Sequence, residues 1–430
     1  MPAPRKRILF VSEAITLAQM VRLVTLARAL PSEHYDVHFA SSQFPGFVFD
    51  GLDVRRWPLW GLSPDKAMAR VASGKRLYSR RVLRRYIEAD RQVIHAIEPD
   101  LVVGDLRWSL AVSAPSCGVP LASLINAYWS PLANRSGFPM PEHPVVRILG
   151  EKLAAKYFPH ALPWVFAHFA APLNAERRRA GLPEIGSLLE VLTYGDHVLY
   201  ADPPELVPTT GLPSHHHFLG PIVWSAPGAL PIGWGRLSGR SPVYVTLGSS
   251  GASRCLPILL EALAPMPVDV LLALAGRELS QTLPANVRAI SFVDGAAACE
   301  RARVVIHNGG SSTGYQALAT GTPVLGIPSN LDQYLASERI EQRGAGLSLR
   351  SGKLTARQVR VNLQRLLDEP AFTKAAQSLA DVFKKHDAAA NFRAFVDSLL
   401  RPAPSEPDDS LLRLAGKRVT DSRQPTNLGC

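Results

Sequence analysis

The residues best suited to chemistry lie between His307 and Gly346. Val304–Val305–Ile306 is a short apolar run that leads into His307–Asn308–Gly309–Gly310–Ser311–Ser312–Thr313, and a helical pattern follows. A glycine-rich turn at a helix start exposes unpaired backbone N–H groups and the positive end of the helix dipole. Such a turn suits a phosphate, because glycine lets the oxygens come close. Ser311, Ser312 and Thr313 add hydroxyl donors, and His307 can donate to a phosphate oxygen. The competing reading of His307 is a loop cap. Downstream, Ala317 to Pro328 closes the helix on Gly321 and enters another strand, and Asp332–Gln333 and Gly344–Ala345–Gly346 follow.

The elements that must position these groups alternate. Arg7 to Val11 reads as a buried parallel strand, Met20 to Leu30 as a helix and Val37 to Ala40 as a second strand. Strand, helix and strand within some forty residues make a right-handed βαβ unit. The rhythm returns at Leu101 to Asp105, a helix near Ser109 to Cys117, and Pro120 to Ile125. A second set starts at Pro242 to Gly248. It continues through a helix near Cys255 to Leu263, strands at Asp269 to Leu274, Val287 to Phe292 and Val304 to His307, and one at Val324 to Ile327. Pro203 to Arg236, rich in proline and glycine, reads as a linker between the halves. The expected division is an N-terminal Rossmann-like domain over 1–220, a linker over 221–240 and a C-terminal Rossmann-like domain over 241–385. A final helix over 386–400 is expected to pack back on the first domain, and 401–430 to be a disordered tail.

Taken in order, these elements resemble the signature of the family 1 glycosyltransferases: an HGGxGT turn, an EAL…GxP stretch and a DQ pair. The resemblance is strong over 301–346 and extends weakly over 5–400. It implies the α/β GT-B fold, two Rossmann-like doubly wound domains facing across a cleft, with a nucleotide-diphosphate sugar held mainly by the second. It also implies transfer with inversion from a UDP- or dTDP-sugar to a small, partly apolar or lipid-like acceptor. The sugar nucleotide is a cosubstrate, so no cofactor and no metal is expected. By the same resemblance His307 contacts the diphosphate, and Gly309, Gly310, Ser311, Ser312 and Thr313 cradle it. Ser249 reaches the phosphates from the first C-terminal strand, Phe292–Val293 packs the base, and Asp332 and Gln333 hold the sugar hydroxyls. Bland readings stand beside these: Ser249 as a turn former, Asp332 as a helix N-cap, Phe292 as core.

The sequence departs from the pattern at three places. Gln316 stands where the family has a glutamate for the ribose, and an amide lacks the charge-assisted strength of a carboxylate. Asn308 replaces the first glycine. Gln19 occupies the expected place of the catalytic histidine in the loop after the first strand, and Asp105 matches its supporting aspartate. Glutamine takes no proton at neutral pH. Three readings remain open: Asp105 or Glu13 acts as the base, the acceptor arrives deprotonated, or the chain is a degenerate binding or auxiliary protein. A sugar-nucleotide epimerase of the same fold is a further alternative.

Bulk properties set the frame. Of 430 residues, 47% are hydrophobic and 19% charged, which supports large cores and excludes a disordered chain. The net charge of +11 suits an anionic ligand or surface. Cys117, Cys255, Cys299 and Cys430 are scattered, as in a reducing compartment, and neither a signal peptide nor an 18-residue apolar span is evident. A cytoplasmic protein is expected. Eight basic residues between Arg70 and Arg91 read as a solvated helix face, or more sharply as a patch for an anionic acceptor or for peripheral contact with the inner membrane face. Nucleic acid is disfavoured, because no aromatic residues interleave with that patch as stacking platforms. Aromatics from Tyr128 to Phe138 and from Tyr157 to Phe169 read equally as acceptor pocket or core.

Overall fold

The computed structural model describes residues 4–140, 151–236, 239–248, 251–279 and 281–401. Its chain builds two parallel sheets. The first takes β1 (Lys6–Ser12), β2 (Tyr35–Ser41), β3 (Arg55–Pro58), β4 (Leu101–Asp105), β5 (Leu121–Ile125), β6 (His197–Tyr200) and β7 (His216–Phe218) in the order β3-β2-β1-β4-β5-β6-β7. The second takes β8 (Ser241–Thr246), β9 (Val268–Ala273), β10 (Val287–Ile290), β11 (Val304–His307), β12 (Val324–Gly326) and β13 (Gly346–Ser348) in the order β10-β9-β8-β11-β12-β13. The central strands carry continuous apolar runs because helices cover both faces. Ile8, Leu9 and Phe10 are wholly buried in β1, as are Val304, Val305 and Ile306 in β11.

Strand order reverses between β1 and β4 in one sheet and between β8 and β11 in the other. Helices after these strands go to opposite sides, so a crevice opens at the carboxyl ends of each pair. The register sets Ser12 beside Asp105 at one crevice and Thr246 beside His307 at the other. Both groups singled out from the sequence therefore stand at the switch points.

Seven of the helices shape these crevices and the walls beside them: α1 (Leu17–Ala27), α2 (Pro64–Ala72), α3 (Arg80–Ile97), α4 (Glu151–Arg179), α5 (Ser311–Ala319), α6 (Leu331–Gln342) and α7 (Ala388–Leu400). The last returns to the first sheet. Asp387 caps it by accepting from the N–H groups of Ala389 and Ala390. Phe392 is fully buried against Phe10, with ring centroids 5.8 Å apart.

Three features differ from the sequence reading. His216–Phe218 lies in the stretch read as linker, yet it pairs in parallel with β6 as the sheet edge. A three-residue edge strand carries too short a pattern to show beside its prolines. The 29-residue helix α4 spans three internal prolines, Pro159, Pro163 and Pro172, which conceal it as a sequence pattern. Its aromatics divide: Phe166 is buried against Phe138, whereas Trp164 is 80% exposed. The stretch 401–430, expected to be a tail, lies outside the described residues apart from Arg401 at its start.

Candidate functional site

The glycine-rich turn takes its shape from its own sequence. Gly309 has φ +80°, and a Cβ there would stand 2.7 Å from the Ser337 hydroxyl and 3.1 Å from Pro328. The Ser337 hydroxyl donates to the Gly309 carbonyl at 3.2 Å. Asn308, in place of glycine, uses its side chain as a cap: its Oδ1 accepts from Gly310 N at 3.2 Å. Gly310 is the N-cap of α5 and brings no side chain to the first-turn N–H groups. Ser311, Ser312 and Thr313 open that helix half-buried.

His307 ends β11 wholly buried, and neither ring nitrogen has a partner among the described residues. Burial pushes its pKa down to about 4, so the imidazole is neutral and keeps one N–H to donate. A buried donor without an acceptor is costly, and an oxyanion at the turn would supply one.

Around the turn, Gln316 donates to the Trp224 carbonyl and stands 3.3 Å from the Ser225 hydroxyl. The ribose position of the family pattern is thus engaged by the segment joining the domains. Asn330, not Asp332, caps α6 by accepting from Gln333 N at 3.1 Å. Asp332 instead crosses to the first domain, accepting from Tyr128 Oη at 3.1 Å and Trp129 Nε1 at 2.8 Å. Gln333 is buried, and its Oε1 accepts from the backbone and hydroxyl of Ser329 at 2.9 and 3.0 Å. Val293 is buried, but Phe292 is 41% exposed and faces Phe47 of the opposite domain at 5.7 Å. The core alternative for Phe292 is therefore wrong: its ring borders the cleft. Ser249 lies outside the described residues.

The opposite wall differs more from expectation. Gln19 is the third residue of α1, and its Oε1 accepts from Thr16 N at 3.1 Å in a capping box. It makes no dyad with Asp105. Both Asp105 oxygens accept instead from Arg22, at 2.9 Å from Nε and 2.7 Å from a terminal nitrogen. Burial raises the Asp105 pKa to about 6, against the lowering pull of the Arg22 guanidinium. Glu13 is enclosed, with the hydroxyls of Tyr78 and Tyr86 donating at 3.1 and 2.9 Å and Arg107 3.7 Å away. Burial raises its pKa as well. Glu13 is 1% exposed, and through these partners its carboxylate anchors the loop after β1.

Sequence reasoning does not reach the network that joins the two walls. Arg22 donates to Asn126 Oδ1 at 2.6 Å, and Asn126 Nδ2 donates to Asp202 Oδ1 at 2.9 Å. Buried Asp202 also accepts from Ala127 N and from the Tyr315 hydroxyl of α5. Hydrogen bonds thus run from Asp105 to the phosphate-type helix without a gap. The one signal along the chain is the placement of Arg22 one turn after Gln19.

The basic stretch after Arg70 is not a uniform solvated face. Arg80 and Arg84 hold Glu176 of α4 at 3.3 and 3.0 Å, and Arg85 lies 3.8 Å above the Trp60 ring. Among the described residues, no helix is long and apolar enough to cross a membrane.

Known proteins share the fold and, over most of the chain, much of the sequence. Residues 258–390 match the family described as erythromycin biosynthesis protein CIII-like, C-terminal domain. A PGL/p-HBAD biosynthesis glycosyltransferase of Mycobacterium tuberculosis (strain ATCC 25177 / H37Ra) is 42% identical over 401 residues, which cover 93% of each chain. A PGL/p-HBAD biosynthesis rhamnosyltransferase of Mycobacterium bovis (strain BCG / Pasteur 1173P2) is 42% identical over 404 residues, covering 94% of this chain and 89% of the relative. In structure, the glycosyltransferase VinC in complex with dTDP superposes with a TM-score of 0.60 at 22% identity, over 92% of this chain and 99% of VinC. Identity at the level of the mycobacterial relatives over nearly the full length, on two doubly wound domains that meet at their switch points, places the chain in the family 1, macrolide-type glycosyltransferases of the GT-B fold.

Proposed function

We propose that this glycosyltransferase moves a sugar, with inversion, from a UDP- or dTDP-sugar to a small, partly apolar acceptor. The observation that carries this reading is the buried, unpartnered His307 beneath an uncapped helix start at Gly310. Together they present an imidazole N–H and several backbone N–H groups to one place, which fits the charge that develops on a leaving diphosphate. The binding of dTDP by VinC and the rhamnosyltransferase relative support a nucleotide donor and a deoxyhexose among the sugars to try. In this reading Ser249, Ser311, Ser312 and Thr313 add hydroxyls at the diphosphate, Asp332 and Gln333 meet the sugar, and Val293 and Phe292 border the base. Gln316 takes the ribose side once it releases Trp224.

Asp105 is the base of this reading. It is the carboxylate at the β1/β4 switch point, and accepting a proton requires that Arg22 release one of its oxygens. The test is to incubate the protein with UDP- and dTDP-sugars, with and without phenolic and lipid-like acceptors, and to follow nucleoside diphosphate release and product mass. Transfer is expected, and His307→Ala should weaken donor binding about ten- to a hundredfold, the worth of a hydrogen bond to a charged group. Donor binding without turnover for any acceptor would favour the auxiliary reading, and unchanged donor affinity in His307→Ala would remove the assigned diphosphate contact.

A further inference from the structure

A cavity of about 310 Å³ opens in the first domain where α2, the start of α3 and α4 meet, and Arg70, Arg76, Arg80, Tyr78 and Ser79 line it with Ala171 and Pro172. None of these residues enters the donor turn or the Asp105 network. Arg76 donates from one terminal nitrogen toward His168 Nδ1 at 2.9 Å, while its Nε is enclosed with no hydrogen-bond partner among the described residues. Arg70 is held over the cavity by donating to the Arg76 carbonyl at 2.9 Å. The facing carboxylate, Glu176, is 2% exposed and already shared by Arg80, Arg84 and Arg179 at 3.3, 3.0 and 3.9 Å.

Positive charge therefore exceeds negative charge around a concave, partly apolar hollow. Guanidinium groups so placed repel one another unless an anion lies among them, and their planar forks match the oxygens of carboxylate or phosphate. Ser79, the N-cap of the 18-residue α3, sets the positive end of that helix at the same wall. We propose that this cavity is an oxyanion site that takes a carboxylate or a phosphate group. A membrane surface fits less well, because the arginines converge inward on a hollow and Arg84 and Arg85 are tied to Glu176 and Trp60. Behind the wall, the Tyr78 hydroxyl donates to Glu13 on the loop after β1. Occupancy is thus one side chain away from the acceptor wall of the cleft. The site itself does not depend on the transfer reaction.

The experiment is calorimetric titration of the full chain with inorganic phosphate and, separately, acetate, at constant ionic strength. Excess nucleoside diphosphate keeps the donor turn occupied throughout. Saturable binding at one site is expected, weakened at least tenfold in the double variant Arg70→Gln, Arg76→Gln and unchanged in Arg357→Gln, an exposed arginine elsewhere. Should the double variant not fold, phosphate should protect Arg76 of the unmodified protein from phenylglyoxal, as mapped by mass spectrometry. Binding that survives the double substitution, or that chloride matches at equal strength, overturns the site. So does recruitment to phosphatidylglycerol vesicles with no binding of phosphate or acetate, which would make the patch a membrane contact.

Discussion

Asp105 shows how one residue pairing redirects a site. Its carboxylate is buried, which favours the protonated form, and Arg22 opposes that by binding both oxygens. The balance lies at about 6. A base is active only when deprotonated, so transfer should rise with pH and level off above that value. In Arg22→Gln the opposing charge is gone, the carboxyl holds its proton to higher pH, and the rising limb should move up by about one unit or more. Asp105→Asn should lower the rate by about 10²- to 10⁴-fold and abolish the limb. The pH dependence of kcat/KM measures both, and a limb that stays in place without Arg22 would deny Asp105 the role of base.

Among the elements, α1 and the turn before α5 do the most to shape the cleft. Because Gln19 serves as the third residue of the α1 capping box, its side chain points back to Thr16 N rather than toward Asp105. Gln19→His alone is therefore expected to give no gain in transfer, since Arg22 still fills both Asp105 oxygens; a tenfold gain in a rate assay would contradict that geometry. At the turn, Gly309→Ala forces a side chain into a left-handed φ of +80° and against Ser337 and Pro328. The conformational cost alone is about 1–2 kcal/mol. In a chain of 430 residues that lowers Tm by about 1–2 °C, measurable by calorimetry, and donor affinity should fall with it.

The whole molecule holds together through contacts that ignore domain order. α7 follows the second domain in sequence, but Phe392, Phe395 and Val396 belong to the core under β1 and β2. Tyr35 donates to Asp397, and Asn391 donates to the Leu219 carbonyl at 2.8 Å. Phe392→Ala should destabilise the protein by about 3–5 kcal/mol, the cost of emptying a large aromatic site in a packed core. Hydrogen exchange should place that loss in β1 and β2, hundreds of residues away in sequence; loss confined to residues 388–400 would contradict the packing. Across the cleft, Asp202 accepts from Tyr315, and Asp332 from Tyr128 and Trp129, so both walls are tied by carboxylates on opposite sides, Asp202 buried and Asp332 half-buried.

Local pattern suffices for much of this. The alternation of strands and helices, the glycine-rich turn after β11 and the start of α5 are legible because apolar periodicity and turn chemistry act over a few residues. Asn308 and Gln316 are visible as departures, though not what they do. What remains hidden is non-local or masked: the edge strand β7, too short to show a period, and α4, interrupted by prolines. Arg22 and Asp105 are 83 residues apart and Tyr315 and Asp202 are 113 apart, and no pattern along the chain pairs them. Only the fold chose Arg22 over Gln19 as the partner of Asp105. The reason is geometric: a helix start that needs a cap turns Gln19 aside, and a buried carboxylate takes the cation one turn further on.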